Sequence, residues 1–368
     1  MSHEEYMKLA LELARKGAGR ACPNPMVGAV VVRDGKIIGQ GYHKCCGGLH
    51  AEREALSSCT ENPAGADIYV TLEPCCHFGK QPPCTDALIG AGIRRVFMGS
   101  GDPNPAVSGK GVQILRDRGI EVITGILQEE CEKLNTAFFH YIRTGTPYVT
   151  LKYAMTIDGK IAAYTGKSRW ITGSEAREHV HRMRHENQAI MVGVGTVLAD
   201  NPMLNCRIPG GKNPIRIVCD TGLRTPLDSN LVSTAREIPL IIATCCTDEA
   251  RWSNYIEKGC RILVTDKQDG HLDIKDLMKK LGKEKISSIL LEGGGTLGWS
   301  AIKAGAVHKV QTYIAPKVLG GEDARTPVEG QGFEDPEHCL KLRNSRILRL
   351  GSDILIESEV DTHVYGNN

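Results

Sequence analysis

His50-Ala51-Glu52, Pro74-Cys75 and Cys84 constrain this chain more than any other feature. One imidazole and two thiols so far apart can share a metal only if the fold brings the chain back to one point twice. Zinc takes neutral imidazole and ionised sulfur, and three protein ligands leave the fourth tetrahedral position open for water. Glu52 is near enough to His50 to enter the same pocket without binding the metal, where a carboxylate takes a proton from water and passes it to a leaving group. A site of one imidazole and two thiolates has a formal charge of zero. It is a milder acid than a three-histidine site, so a proton-accepting partner helps. The alternative is a structural zinc completed by Cys76 or His77, which needs no glutamate. Spacing alone leaves the second thiol open between Cys76 and Cys84. Cys84 is favoured, because adjacent cysteines seldom bind one metal and Cys84 begins a helix-like run.

His-x-Glu followed by Pro-Cys is the pattern of zinc-dependent deaminases, although the usual Pro-Cys-x-x-Cys spacing is not met here. The motif lies in an alternation of helices and short apolar strands. Residues 4–16 place Tyr6, Leu9, Ala10 and Leu13 at helical spacing, residues 26–32 read as a strand, and Asp34-Gly35 is a hairpin turn before Ile37-Ile38. Helices over 51–58, 85–91 and 112–118 then alternate with strands over 68–72, 95–98 and 121–124, and one helix over 127–142 closes the unit. This order predicts a mostly parallel sheet with helices on both faces. The break at Arg143-Thr144-Gly145-Thr146-Pro147 precedes a second α/β pattern from Tyr148, with strands over 190–194, 215–219, 240–243, 261–264, 288–291 and 310–314 and a closing strand over 354–357. The stretch 320–350, rich in Gly, Pro and charge, suggests no function.

A chain of 368 residues is too long for one ordinary core, which favours two domains, 1–145 and 146–368. A net charge of +2 and 5% aromatic residues argue against a nucleic-acid partner. No apolar run of about 18 residues is present to cross a membrane, and Met1-Ser2-His3-Glu4-Glu5 lacks the basic-then-apolar order of a signal peptide. The 14 cysteines read as reduced thiols in a cytoplasmic chain.

The chain resembles the bifunctional riboflavin-biosynthesis deaminase–reductase family over essentially its whole length. In the first half the resemblance rests on Asn24-Pro25-Met26-Val27-Gly28-Ala29-Val30, Gly48-Leu49-His50-Ala51-Glu52, Tyr69-Val70-Thr71-Leu72-Glu73-Pro74-Cys75, the loop to Cys84, and Asp102-Pro103-Asn104-Pro105. It implies a three-layer domain like cytidine deaminase, metal ligands His50, Cys75 and Cys84, and Glu52 as the catalytic residue. Cys76 departs from the family, which commonly has Ser there. The implied substrate is an aminopyrimidine, 2,5-diamino-6-(5-phosphoribosylamino)pyrimidin-4-one, with a phosphorylated ribosylamino arm. His77 and Lys80 are candidates to hold the phosphate, with Asn24 hydrogen-bonding nearby; a solvated loop lysine is the plainer alternative.

In the second half, Glu292-Gly293-Gly294-Gly295-Thr296-Leu297-Gly298 follows an apolar strand, and glycines there let backbone N–H groups approach a phosphate. The turn has neither Rossmann nor P-loop spacing. With Leu151-Lys152-Tyr153-Ala154-Met155-Thr156-Ile157-Asp158-Gly159-Lys160, Ser168-Arg169-Trp170-Ile171-Thr172 and Gly193-Val194-Gly195-Thr196-Val197-Leu198-Ala199-Asp200-Asn201-Pro202 it resembles the family's reductase. The resemblance implies a dihydrofolate-reductase-like fold and NADPH reduction of the ribosyl arm to a ribityl arm. It places Ala154, Trp170, Thr196, Asp200 and Thr221 on the nicotinamide cofactor. Gly294, Gly295, Thr296, Leu297, Gly298, Trp299 and Ser300 fall on its phosphates, and Ser168, Arg184, Leu204, Arg207 and Glu292 on the substrate. Lys152 is a candidate to assist ring opening, and Asp200 or Glu292 to stabilise iminium charge. Arg184 and Arg207 suit a phosphate. Plainer readings make Asp200 a turn residue, Trp170 core, and Arg184 and Lys152 solvated. The sequence does not report the oligomeric state and is compatible with a homo-oligomer. The competing functions are a nucleoside or tRNA-base deaminase fused to an unrelated reductase, and a zinc-stabilised binding protein.

Overall fold

Ser2 accepts a hydrogen bond from the Glu5 N–H (3.2 Å) and donates its own N–H to the Glu5 carboxylate (2.6 Å). This capping box starts helix α1, His3–Arg15, which buries Tyr6, Met7, Ala10, Leu11 and Ala14 along one face. A computed structural model describes residues 1–79, 81–105 and 107–361. The chain divides into two units, Met1–Gly145 and Thr146–Asn368.

After α1, the N-terminal unit runs β1 (Gly28–Arg33), β2 (Lys36–Tyr42), α2 (Ala51–Ser57), β3 (Asp67–Leu72), α3 (Cys84–Gly90), β4 (Arg95–Ser100), α4 (Lys110–Asp117), β5 (Glu121–Thr124), α5 (Gln128–Leu134) and α6 (Thr136–Thr144). The strands form one sheet in the order β2-β1-β3-β4-β5, antiparallel at β2-β1-β3 and parallel from β3 to β5. Asp34 and Gly35 both have positive φ (49° and 77°), as the tight β1–β2 turn requires. Side-chain alternation divides the core between the two faces. Ala29, Val31, Ile68, Val70, Val96 and Met98 meet Ala51, Ala55, Leu88 and Leu115 of the helices on one face. Val30, Val32, Tyr69 and Phe97 meet Tyr6, Met7, Ala10 and Leu11 on the other.

Gly28 lets β1 approach α1. A Cβ there would collide with the Ala10 carbonyl oxygen and crowd the Ala14 nitrogen (2.8 Å), and backbone atoms cannot swing aside. Gly28→Ala is therefore expected to cost about 3 kcal/mol in urea denaturation, near the top of the overpacking range. An unchanged midpoint would show that α1 moves freely on the sheet.

The helix expected over 127–142 is two helices broken at Asn135. The Asn135 side chain is 4% exposed. It accepts from the Met26 N–H (2.8 Å) and donates to the Met26 carbonyl (2.9 Å), clamping the segment that carries Asn24.

The C-terminal unit runs β6 (Tyr148–Thr156), α7 (Ser174–Glu186), β7 (Ala189–Gly193), α8 (Val194–Asp200), β8 (Ile215–Cys219), α9 (Asn230–Ser233), β9 (Leu240–Thr244), α10 (Glu249–Glu257), β10 (Arg261–Val264), a small hairpin β11 (Lys267–Gln268) and β12 (His271–Leu272), α11 (Ile274–Lys283), β13 (Ser288–Glu292), α12 (Gly295–Lys303), β14 (Lys309–Ala315), β15 (Leu342–Leu350) and β16 (Asp353–Val360). Among the described residues nine strands pair in the order β10-β9-β8-β7-β13-β6-β14-β16-β15, parallel through β14 and antiparallel beyond it. Alternation again splits the core. Met191, Ile217 and Ala243 face α11 and α12, and Val192, Val218 and Ile242 face α8 to α10. Strand β15 was not expected, because Arg343, Arg346 and Arg349 interrupt it and it is mostly exposed along the sheet edge. The stretch before it has a structural use. Glu329 N–H donates to the Gly295 carbonyl (3.2 Å), and Phe333 meets Trp299 edge-on at 5.0 Å, so this stretch packs over the start of α12.

Candidate active sites

Parallel strands leave their C-terminal ends facing one side, where loops gather side chains from distant parts of the sequence. In the N-terminal unit, Cys75 follows β3, His50 precedes α2 and Cys84 opens α3. Glu73, just beyond β3, accepts the backbone N–H groups of Asp102 (3.4 Å), Gly109 (3.0 Å), Gly111 (3.1 Å) and Val112 (3.3 Å), which ties the loop after β3 to the loop after β4. The result is a cavity of about 260 Å³.

His50 Nδ1 lies 3.4 Å from Cys75 Sγ and 3.3 Å from Cys84 Sγ. Their three donor atoms all fall within 4.8 Å of one another, and Cys76 is outside the cluster. One nitrogen and two sulfurs at such separations suit a zinc ion. The Cys84 thiol donates to Cys75 and, with His50, holds the Cys75 thiol down to about 4 against burial. Cys84, hydrogen-bonded to that charged sulfur and buried, is pushed up. The Cys75 contact raises His50 against burial. Glu52 is 3% exposed and lines the cavity without belonging to the donor cluster. Burial, then the charge on Cys75, pushes its carboxyl up to about 7.

Asn24 and His77 line the cavity; Lys80 lies outside the described residues. His43, Asp102 and Asn104 also line it, and sequence reasoning gave them no role. The Asn24 amide donates to His43 Nε2 (3.1 Å), and His43 Nδ1–H donates to the Leu49 carbonyl (3.0 Å), so one neutral tautomer satisfies both bonds. Burial lowers the His43 pKa and pushes Asp102 up to about 6. Asp102-Pro103-Asn104-Pro105 was a visible signal for that wall. His43 had none, since a lone histidine after a strand is unremarkable.

In the C-terminal unit a cavity of about 290 Å³ opens at the ends of β6 and β13. Ala154, Trp170, Thr196, Asp200 and Gly294 line it, as do Ser168, Arg184, Leu204, Arg207 and Glu292. Thr221 and Gly295 to Ser300 do not belong to its lining. Leu297 packs into the core, a Cβ on Gly298 would meet Leu151 Cδ1 at 3.7 Å, Ser300 Oγ donates to the Thr296 carbonyl (2.9 Å), and Thr221 supplies its carbonyl to the Cys245 N–H (3.2 Å). Gly293 and Gly294 have φ of 93° and 86°. A Cβ on Gly293 would meet Thr196 Oγ1 at 3.3 Å, so the glycines keep open the edge of the cavity at the start of α12. That open edge suits a cofactor phosphate.

Glu292 is the electrostatic centre of this cavity. Arg184 donates to both its oxygens (2.8 and 2.9 Å) and to the Asn205 carbonyl (3.1 Å), so all three guanidinium nitrogens have protein acceptors. Lys152 Nζ lies 3.8 Å from Glu292 and 5.4 Å from the Tyr313 ring centre. Burial would raise the Glu292 carboxyl, but Arg184 and Lys152 outweigh it and hold the group down to about 2. Burial lowers Lys152. Neither Arg184 nor Lys152 is on a solvated face. Trp170 is not core: it is 58% exposed, with the Arg177 guanidinium 4.6 Å from its ring centre. Asp200 accepts from Ser168 Oγ at 3.2 Å and closes α8 before Asn201 (φ 42°).

The chain matches the family model for the cytidine and deoxycytidylate deaminase zinc-binding region over residues 1–100 and that for the RibD C-terminal domain over 147–356. It is 51% identical to the riboflavin biosynthesis protein RibD of Actinobacillus pleuropneumoniae, covering 97% of this chain and 95% of that one. With the Escherichia coli K12 protein of the same name identity is 40%, with 97% and 99% covered. The RibD structure from Acinetobacter baumannii superposes with a TM-score of 0.88 at 35% identity, covering 98% of this chain and 99% of that one. A Thermotoga maritima structure described as a diaminohydroxyphosphoribosylaminopyrimidine deaminase/5-amino-6-(5-phosphoribosylamino)uracil reductase superposes with a TM-score of 0.86 at 39% identity over the same shares.

Proposed function

The chain belongs to the RibD family of bifunctional riboflavin-biosynthesis enzymes, and from that premise we propose how its own residues divide the work. It is a zinc-dependent deaminase and an NADPH-dependent reductase in one polypeptide. Deamination is assigned to residues 1–145 and reduction to residues 146–368. The observation that carries the reading is the convergence of His50, Cys75 and Cys84 beside a buried glutamate outside the donor cluster.

His50, Cys75 and Cys84 would hold the zinc, which when bound supplies the positive charge that makes water more acidic. Glu52 takes the water proton at its carboxylate and delivers it to the amino group, which leaves the pyrimidine carbon as ammonia. The low-dielectric pocket that raises Glu52 makes it a better base and leaves it able to return the proton. Asn24, fixed by neutral His43, and His77 face the substrate in this reading. The proposed substrate is 2,5-diamino-6-(5-phosphoribosylamino)pyrimidin-4-one.

In the second reaction the sugar ring opens to an iminium whose carbon accepts a hydride, which NADPH would supply when bound. Lys152, whose burial favours loss of its proton, donates to the ring oxygen. Glu292, kept ionised by Arg184, faces the developing positive charge. Ala154, Trp170, Thr196, Asp200 and the Gly293–Gly294 edge receive the cofactor, and Arg207 receives the substrate phosphate.

Among the described residues no helix is long and apolar enough to cross a membrane. A cytoplasmic location is part of the proposal, because Cys75 and Cys84 must stay reduced to bind metal. So is a homo-oligomer, supported by edge strand β15, whose Leu342 and Ile347 are exposed.

The test uses purified zinc-loaded protein with the aminopyrimidine ribotide and NADPH, following ammonia and loss of reduced-cofactor absorbance. Both signals are expected, ammonia first. Cys84→Ala should lose bound zinc and ammonia release while still oxidising NADPH with the deaminated substrate. Ammonia release at the wild-type rate from a zinc-free Cys84→Ala protein would overturn the metal assignment.

A further inference from the structure

Arg207 lies in the segment between α8 and β8 and reaches the C-terminal cavity beside His181 of α7. Its Nε–H donates to His181 Nε2 at 3.1 Å. A guanidinium only donates, and an imidazole accepts only at an unprotonated nitrogen. The contact therefore requires neutral His181 with its proton on Nδ1, a buried atom. The charged groups facing the ring are Arg184 on the same helix, Arg207 itself, and Glu292 at the end of β13. Burial, then Arg184 and Arg207, hold the imidazole down to about 4, opposed by Glu292 and the Asn205 carbonyl. His181 is thus neutral where enzymes normally work. Arg184 is committed to Glu292 and Asn205, whereas among the described residues no protein acceptor is paired with either Nη group of Arg207, which leaves both for a ligand.

We propose that His181 is a positioning residue for the reductase: it accepts the Arg207 Nε–H and turns the guanidinium so that its two Nη groups meet the substrate phosphate. The proposal rests on the reading of this cavity as a site for a phosphorylated substrate. An arginine without such an acceptor would keep its rotamer freedom and lose it only on binding.

The test measures reductase kinetics in His181→Leu, His181→Asn, His181→Gln, Arg207→Ala and the double variant His181→Leu/Arg207→Ala. His181→Leu should raise KM for the phosphorylated substrate about tenfold, the weight of one hydrogen bond to a charged group, with kcat and the KM for NADPH little changed. Asparagine is too short to reach Arg207 and should behave like leucine. Glutamine places an amide oxygen near the Nε2 position and should recover most of the loss. Arg207→Ala should raise KM at least as far, and adding His181→Leu to it should add nothing. Protonated His181 cannot accept, so the wild-type KM should rise relative to His181→Gln as pH falls toward about 4.

If His181→Leu does not fold, the asparagine and glutamine pair carries the comparison. Wild-type KM in His181→Asn beside an impaired Arg207→Ala overturns the positioning role alone. Wild-type KM in Arg207→Ala overturns the phosphate reading and the proposal with it. Equal losses of kcat and NADPH binding in the asparagine and glutamine variants would make His181 merely structural and also overturn the proposal.

Discussion

Glu52→Gln is expected to lower the deaminase kcat by about a thousandfold, within the range that general acid–base catalysis supplies. The amide keeps the size and the neutral hydrogen-bonding of the side chain but can neither take the water proton nor hand it to the departing amine. Zinc content should not fall, because Glu52 is not among the three converging donors. The reductase should oxidise NADPH at the wild-type rate when given the deaminated substrate. A glutamine in place of a carboxyl pushed up to about 7 by burial relieves a desolvation cost, so the variant should be no less stable than the wild type. Ammonia release, elemental zinc and a thermal melt on one preparation separate these outcomes. Ammonia release at the wild-type rate would remove Glu52 from the reaction.

Glu292→Gln should disable the other half and destabilise it as well. Removing the carboxylate leaves the Arg184 and Lys152 charges close together and buried without their partner. Breaking a buried charge cluster from one side costs about 3 kcal/mol. NADPH oxidation should fall sharply, while ammonia release continues under conditions where the chain stays folded. The pH dependence has a definite sign. The folded carboxyl is held down to about 2, below the ordinary value of 4.5, by Arg184 and Lys152 against burial. Its stabilisation is therefore complete above pH 4.5 and is lost as pH falls from there through about 2. Urea midpoints of the wild type should drop over that acid interval, and the part due to this carboxyl should vanish in Glu292→Gln. Equal midpoints for the two proteins at neutral pH would mean that the ion pair contributes nothing net.

Much of the deaminase half was legible in the chain because its chemistry is local. His50, Glu52 and Cys75 sit in short motifs whose spacing is fixed by a helix start and a strand end. Cys84 was legible because adjacent cysteines seldom bind one metal and a helix-like run begins there, with the family resemblance pointing to the same residue. The Asn135 break was not legible, since an asparagine in an amphipathic stretch carries no sign that its amide will bind Met26, 109 residues away in sequence. Strand β15 was hidden because an exposed edge strand needs no apolar face. In the reductase half, the strand-to-glycine turn was visible, but of it only Glu292, Gly293 and Gly294 line the cavity, and a phosphate role for both arginines treated them as equivalent. Arg184 finds Glu292 at a separation of 108 residues and Arg207 finds His181 at 26, which gives the two guanidinium groups different work.

The sequence by itself determined the donor types, the presence of two α/β units and the family, because all three are written in residue identities at short range. Only the tertiary structure decided which charged groups neutralise one another, that Trp170 lies open at the surface and that His43 and His181 stand in the cavities. Those outcomes depend on burial and on contacts between strands and helices distant in the chain. Electrostatic energies there change over a few ångströms, a distance that no spacing in the sequence can express.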